Sequence, residues 1–277
     1  MAKIFAIANQ KGGVGKTTTC VNLSASLAAT RKKVLLVDLD PQGNATMGSG
    51  VDKYTLEHSI YDVLVDSVPV SSVRVATPES GFDVLPANGD LTAAEVVLLE
   101  SGHKERRLAE ALSQVQADYD FMLIDCPPSL NMLTLTGLVA ADSVLIPMQC
   151  EYYALEGLSA LMDTVQRVAD TVNPSLEVEG LLRTMYDPRN SLTNDVSAQL
   201  QEYFGDRVYR TVIPRNVRLA EAPSFGLPAM QYDPKSRGAK AYLALAGEII
   251  RRESGSQEQV DSQSNESSLA VPEQDTP

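Results

Sequence analysis

Residues 11–18 read Lys11-Gly12-Gly13-Val14-Gly15-Lys16-Thr17-Thr18, which places three glycines, two lysines and two hydroxyls within one short loop. Glycines let successive backbone N–H groups converge on an anion, and a helix that starts just after them turns its positive end to the same point. Lys16 adds a point charge suited to the terminal phosphates of a nucleotide such as ATP. The Thr17 hydroxyl is placed to ligate Mg²⁺, and Thr18 can donate to a phosphate through side chain or backbone. The run follows the logic of G-x-x-x-x-G-K-[ST], but its first glycine is displaced and a second lysine, Lys11, stands at its head. The bland alternative is a glycine-rich turn before a capped helix. An apolar strand ahead of the loop and a helical pattern behind it favour the phosphate reading.

Two further acids fall where phosphate chemistry needs them. Asp125 closes an apolar run, from which a carboxylate reaches Mg²⁺ directly or through a water. Asp40 lies just past the end of the run 33–38, at the sheet edge where ligands gather in parallel α/β folds, and it could orient an attacking water. Asp38 could share that role or bond within the loop, and Asp40 could be an ordinary turn residue before Pro41.

The elements that must carry these groups are legible from hydrophobic periodicity. Residues 4–8 form a short apolar run, and 17–29 show helical spacing through Val21, Leu23, Ala25, Leu27 and Ala28. Residues 33–38 are unbroken in hydrophobicity, as a strand buried on both faces should be, and Asp40-Pro41-Gln42-Gly43 ends them. Strands are expected at 121–124 and 144–147 with a helix at 130–140 between them. Weaker strand candidates at 178–185 and 208–213 flank a helix near 192–204, and a last helix covers 239–252. Strands alternating with helices require crossover connections, so the expected fold class is α/β: a mainly parallel twisted sheet with helices on both faces.

The 277 residues include 44% hydrophobic types, enough for one substantial core. The expected organisation is one ATPase domain over 1–252 and a tail at 253–277. That tail is rich in Ser, Gln and Glu, has little to bury, and is expected to be disordered. No run of about 18 apolar residues suggests a membrane span, and the first residues lack the pattern of a signal peptide, so a cytoplasmic protein is expected. Three separated cysteines and two histidines offer few ligands for a zinc or iron–sulfur site. The net charge of −13 is unevenly spread. Residues 1–182 hold 12 Lys and Arg against 23 Asp and Glu, residues 183–252 hold 11 against 7, and residues 253–277 none against 6. A locally basic last third leaves room for a nucleic-acid face despite the acidic total.

KGGVGKTT, followed by VLLVDLDPQGN and LIDCPP, resembles the deviant Walker A class of P-loop NTPases. The body from residue 3 to about 252 is similar to the ParA/Soj chromosome-partitioning branch, and the likeness continues through TMYDPRN, YRTVIPRNVRLAEAPSFG and YDPKSRGAKAY. The resemblance implies ATP and Mg²⁺ as cofactors and a homodimer that closes on nucleotide. Lys11 is then the signature lysine that reaches the partner subunit's phosphates, as an arginine finger does. Gly12 matches the small residue at the dimer seam and Asp40 the residue required for hydrolysis, while Pro214 and Asn216 match the loop around adenine. Arg189 and Arg218 match arginines implicated in DNA binding without sequence preference. Lys235, Arg237, Lys240, Arg251 and Arg252 could extend that patch, although such side chains are most often merely solvated. The implied partner that stimulates hydrolysis is a ParB-type centromere-binding protein, and the implied location is the nucleoid.

With ten residues ahead of the loop, no operator-reading helix-turn-helix is expected there. A MinD-like or other cargo-positioning ATPase is the alternative, but MinD-like chains end in a basic amphipathic helix, and this sequence ends acidic and polar, arguing against a membrane partner. An iron-protein-like electron donor would need Cys126 as a cluster ligand, for which small-residue packing is the simpler reading. A non-catalytic scaffold is disfavoured by the joint presence of Lys16, Thr17 and Asp40.

Overall fold

In a computed structural model, described here for residues 1–100, 104–152 and 154–269, the loop of interest lies between strand β1 (Lys3–Ile7) and helix α1 (Lys16–Ala29). The remaining strands are β2 (Val34–Asp38), β3 (Val75–Thr77), β4 (Phe82–Leu85), β5 (Phe121–Asp125), β6 (Ser143–Gln149) and β7 (Glu177–Thr184). They form one seven-stranded sheet in the order β3-β4-β2-β5-β1-β6-β7. Every pairing is parallel except that of the edge strand β3 with β4.

Alternation along the strands divides the core in two. Ile4, Ala6, Leu35, Val37, Met122, Ile124, Val144 and Ile146 pack into one face with the helices Leu91–Glu100, Met132–Ala140 and Ala154–Thr171. Phe5, Ile7, Val34, Leu36, Phe121, Leu123 and Leu145 pack into the other with α1 and the last helix, where Tyr242 lies within hydrogen-bond distance of Thr19, 3.1 Å between oxygens. Sandwiched in this way, the central strands expose no face, which explains their continuous apolar reading.

Three expectations from sequence need correction. Residues 208–213 form no ladder. They run beside β7, with bonds from the Tyr209 N–H to Leu181 and the Ile213 N–H to Arg183, but the N–H groups of Arg210 and Thr211 turn to the Glu248 carboxylate instead. β3 and β4 were not foreseen, being three and four residues long and separated by a turn with Pro78 and a left-handed Gly81. The last helix runs Arg237–Leu269, so residues 253–269 continue it rather than beginning a disordered tail. No proline interrupts those residues, and the i→i+4 ladder can therefore propagate past the packed segment. The rest of the tail, 270–277, lies outside the described residues. Among the described residues no helix is long and apolar enough to cross a membrane.

Candidate functional site

β1 delivers the chain to the carboxyl edge of the sheet, and the glycine loop turns it back into α1. Gly13 and Gly15 adopt φ of 74° and 90°, the left-handed region that a side chain resists. Gly15 is the N-cap of α1 and supplies no side-chain cap, so the first-turn N–H groups of the helix face the loop. Thr184, at the end of β7, donates its hydroxyl to the Val14 carbonyl at 2.8 Å and lies against Gly15, fixing the loop from outside. Asn9 fixes its base: the side-chain amide donates to the Pro147 carbonyl at 2.8 Å, and its Oδ1 accepts from the Lys11 N–H at 2.9 Å.

Lys16 is only 8% exposed, and its ammonium donates to the Lys11 carbonyl at 3.3 Å. Burial pulls its pKa down, while the charge of Asp125 and, more weakly, of Asp40 pulls it back. An ammonium held in a partly dry loop, with acids behind it, is available for an anion in front.

Asp125 ends β5 in register with Ile7 on one side and Asp38 on the other. It is fully buried, and no hydrogen bond of good geometry reaches either carboxyl oxygen, although the Thr17 hydroxyl and the Cys20 thiol lie close by. Burial and the neighbouring Asp38 charge push its pKa well up, partly offset by the Thr17 hydroxyl and the Lys16 ammonium. Buried polar atoms are almost always paired, so two orphan oxygens beside Thr17 mark a place for a cation. The oxygen donors Thr17 and Asp125 fit Mg²⁺, which takes few protein ligands and completes its shell with phosphate and water. Among the described residues no group of three or more His, Cys, Asp or Glu is arranged so that it could hold a metal ion by itself.

Asp38 takes the structural role of the two considered. Its Oδ2 accepts from the Thr46 N–H at 2.8 Å and the Thr46 hydroxyl at 2.7 Å, and its Oδ1 from the Asp40 N–H at 3.2 Å. Burial raises its pKa to about 6 despite these bonds. The Thr46 hydroxyl also accepts from the Ala87 N–H at 2.9 Å, which ties β2, the loop after it and the chain after β4 into one buried network. Asp40 sits half-buried above it, engaged only through a local turn in which Oδ1 accepts from the Gln42 N–H at 2.9 Å.

Pro214 and Asn216 come to the opposite flank of the loop. With Gly15, Thr18, Met185 and Tyr242 they line a cavity of about 350 Å³, mainly apolar and of a size for a planar base. Asn216 uses its Oδ1 to cap the short helix Val217–Glu221 through the Arg218 N–H. Gly12 is exposed, its φ is not left-handed, and a Cβ built on it meets nothing within 4 Å. Lys11 does not point away from its own subunit: its ammonium pairs with Glu151 at 2.5 Å.

Arg189 and Arg218 lie on exposed segments joined to the base cavity, but both are engaged. Arg189 forms a two-toothed pair with Asp187, at 2.9 and 2.7 Å. Arg218 meets Glu221 at 2.7 Å and Asp233 at 3.3 Å. Lys235, Arg237, Lys240 and Arg251 are exposed, whereas Arg252 stacks on the Tyr209 ring and pairs with Glu248. Cys20, Cys126 and Cys150 are buried thiols, with Cys126 held protonated by burial. Sequence reasoning passed over Asn9, Thr46, Glu151 and Thr184. Asn9 stands two residues ahead of KGGVGKTT and Thr184 opens TMYDPRN, and only those places could have drawn attention to these two.

Comparison with known proteins bears on the same features. Residues 2–178 match the family model described as an AAA domain. The sporulation initiation inhibitor protein Soj of Bacillus subtilis is 55% identical over 249 residues, 90% of this chain and 98% of Soj. The chromosome partitioning protein ParA of Caulobacter vibrioides is 51% identical over 253 residues, covering 91% of this chain and 95% of that one. Among solved structures, cobyrinic acid a,c-diamide synthase from Mycobacterium smegmatis with a bound ATP analogue and magnesium superposes with a TM-score of 0.81 at 38% identity, covering 92% and 96% of the two chains. With its glycine loop, buried Asp125 and parallel sheet, the chain belongs to the Soj/ParA family of chromosome-partitioning ATPases.

Proposed function

We propose that this ATPase is a partition switch: it binds Mg·ATP, closes as a face-to-face dimer, grips DNA without sequence preference, and lets go on hydrolysis stimulated by a ParB-type protein. The observation that carries the nucleotide part is Asp125, whose two buried, unpartnered oxygens lie behind Lys16 and Thr17 at the foot of an uncapped helix. Thr17 and Asp125 would hold Mg²⁺, which would supply charge neutralisation at the phosphates. The Gly13–Thr18 backbone and Lys16 orient those phosphates, and the cavity beside Pro214 and Asn216 takes the base. Asp40, held loosely at the mouth, orients the water that attacks.

The dimer reading rests on Gly12 and Lys11. Nothing within the subunit crowds position 12, and a glycine there leaves room for a second subunit to approach closely. Lys11 stands exposed at the same mouth, paired with Glu151, and a closed dimer would bring its charge to a second active site. DNA contact is assigned to Arg189 and Arg218, whose planar forks suit phosphate oxygens; two copies per dimer multiply a weak grip through effective concentration. The cargo is a chromosome or plasmid bound by the ParB-type partner, to which the acidic surface of residues 1–182 offers a complementary face, and the protein works in the cytoplasm on the nucleoid. A small-molecule ligase reading has less support, since identity to the diamide synthase is 38% against 55% to Soj.

Gel shift with unrelated DNA sequences, without nucleotide, with ADP and with ATP, tests the reading in wild type and in an Arg189→Glu/Arg218→Glu variant. The expected result is ATP-dependent, salt-sensitive binding that the variant loses. Absence of DNA binding under every nucleotide would overturn the DNA part and point to a positioning ATPase with another cargo.

A further inference from the structure

Every polar group of Lys11 is engaged inside its own subunit. The N–H donates to Asn9, the carbonyl accepts from the Lys16 ammonium at 3.3 Å, and the side-chain ammonium meets Glu151 at 2.5 Å. Glu151 belongs to the loop after β6, one turn ahead of the helix Ala154–Thr171, and is 140 residues away in sequence. Neither partner is buried: the side chains are 43% and 49% exposed, so the pair is an exchangeable surface contact rather than part of the core.

We propose that Glu151 is a positioning residue for Lys11, which it holds over its own subunit and thereby opposes closure of the dimer. This rests on the reading that Lys11 acts on a partner's nucleotide. The release has a built-in trigger, because the hydrogen bond from Lys16 to the Lys11 carbonyl competes with phosphate for the same ammonium. Nucleotide arriving in the loop draws Lys16 forward and frees the Lys11 carbonyl. Asn9 still holds the Lys11 N–H, and the restraint on the side chain is the ion pair with Glu151, which the phosphates of a second subunit can outbid only when both subunits carry nucleotide. Lys11 thus stays at home in the nucleotide-free chain, and a half-loaded pair of subunits gains one cross-contact while giving up two ion pairs.

Analytical ultracentrifugation of the full chain with Mg²⁺ and ATP, compared with ADP and no nucleotide, measures the effect in wild type, Glu151→Gln, Glu151→Asp, Lys11→Ala and Lys11→Ala/Glu151→Gln. An exposed ion pair corresponds to a factor of about two to five per subunit, and two lysines leave per dimer, so Glu151→Gln should tighten the ATP dimer roughly four- to twenty-five-fold. Glu151→Asp should fall near wild type. The gain should vanish in the Lys11→Ala background and shrink as salt screens the wild-type pair. A Glu151→Gln dimer that is no tighter, or weaker, while wild type dimerises normally on ATP, overturns the latch alone. So does a gain that survives removal of Lys11. Wild type that remains monomeric with ATP at all concentrations overturns the dimer reading, and the latch with it.

Discussion

Asp125→Asn should make the nucleotide-free protein more stable and the Mg·ATP-bound protein less so. In wild type a carboxyl group with both oxygens fully buried and unpartnered lies next to Asp38. An unsatisfied buried polar group costs about 1–3 kcal/mol, and more when it carries charge. Asparagine keeps the shape and remains an unsatisfied polar group, but it loses the charge and its repulsion with Asp38, so the excess due to charge, about 1.5 kcal/mol, should be recovered. For a domain of this size that corresponds to a Tm increase of roughly 3–6 °C in EDTA. With ligand at 100 times its Kd, wild type should gain about 2.7 kcal/mol from binding. The variant should forfeit most of the Mg²⁺-dependent part because one of two protein ligands is gone. Thermal unfolding followed by dye fluorescence, in EDTA, in Mg²⁺, in ATP with EDTA and in Mg·ATP, should therefore show the two curves exchanging order. A variant that unfolds earlier than wild type in EDTA, or that keeps the full Mg·ATP shift, would refute the assignment of Asp125 as a cation ligand under electrostatic strain.

Three other substitutions follow from the geometry. Thr46→Val keeps the volume but removes a donor to Asp38 and orphans the Ala87 N–H, so urea unfolding should show a loss of about 2–4 kcal/mol; a loss below ~0.5 kcal/mol would mean the network relaxes freely. A Cβ at position 12 meets no atom of its own subunit within 4 Å, so Gly12→Val should leave stability within about 0.5 kcal/mol while abolishing the ATP-dependent dimer, and a normal dimer in gel filtration would sink the seam assignment. Asp40→Ala removes only an exposed turn contact and should trap an ATP-bound dimer, an idea that undiminished ATP turnover would end.

What could be read from sequence was local. The loop 11–18, the helix behind it and Asp125 at a strand end are contiguous patterns, and strands buried on both faces announce themselves by unbroken apolar runs. The relations that complete the site are not contiguous. Thr184 grips Val14 from 170 residues away, and Glu151 reaches Lys11 across 140. Each of these residues is, on its own, an unremarkable polar side chain at a strand end. Residues 208–213 show the same effect in reverse: their pattern suits a strand, but a distant carboxylate on Glu248 takes the N–H groups that a ladder would have used. β3 and β4 are too short for a period to declare itself, and pairing to β2 stabilises what propensity alone does not.

The arrangement of the two arginines explains why a switch would need a dimer. The base cavity is walled by Thr184 and Met185 on one side and by Ile213 to Val217 on the other, and Arg189 and Arg218 follow directly on these two walls. The two walls are joined by backbone bonds, the Tyr186 N–H donating to Ile213 at 2.9 Å and the Arg215 N–H to Tyr186 at 3.4 Å. Each arginine must leave carboxylates, Asp187 for one and Glu221 with Asp233 for the other, before it can grip a phosphate. Exchanging one exposed ion pair for another yields little net affinity, because both are solvated and screened. A single subunit should therefore bind DNA poorly however well its arginines are placed. If two subunits close face to face as proposed, they would present four such exchanges on one surface, where the small gains multiply and the entropy of association is lost only once. Under the proposed switch, nucleotide would control DNA affinity through whether the second copy is present, with no large movement needed within the subunit.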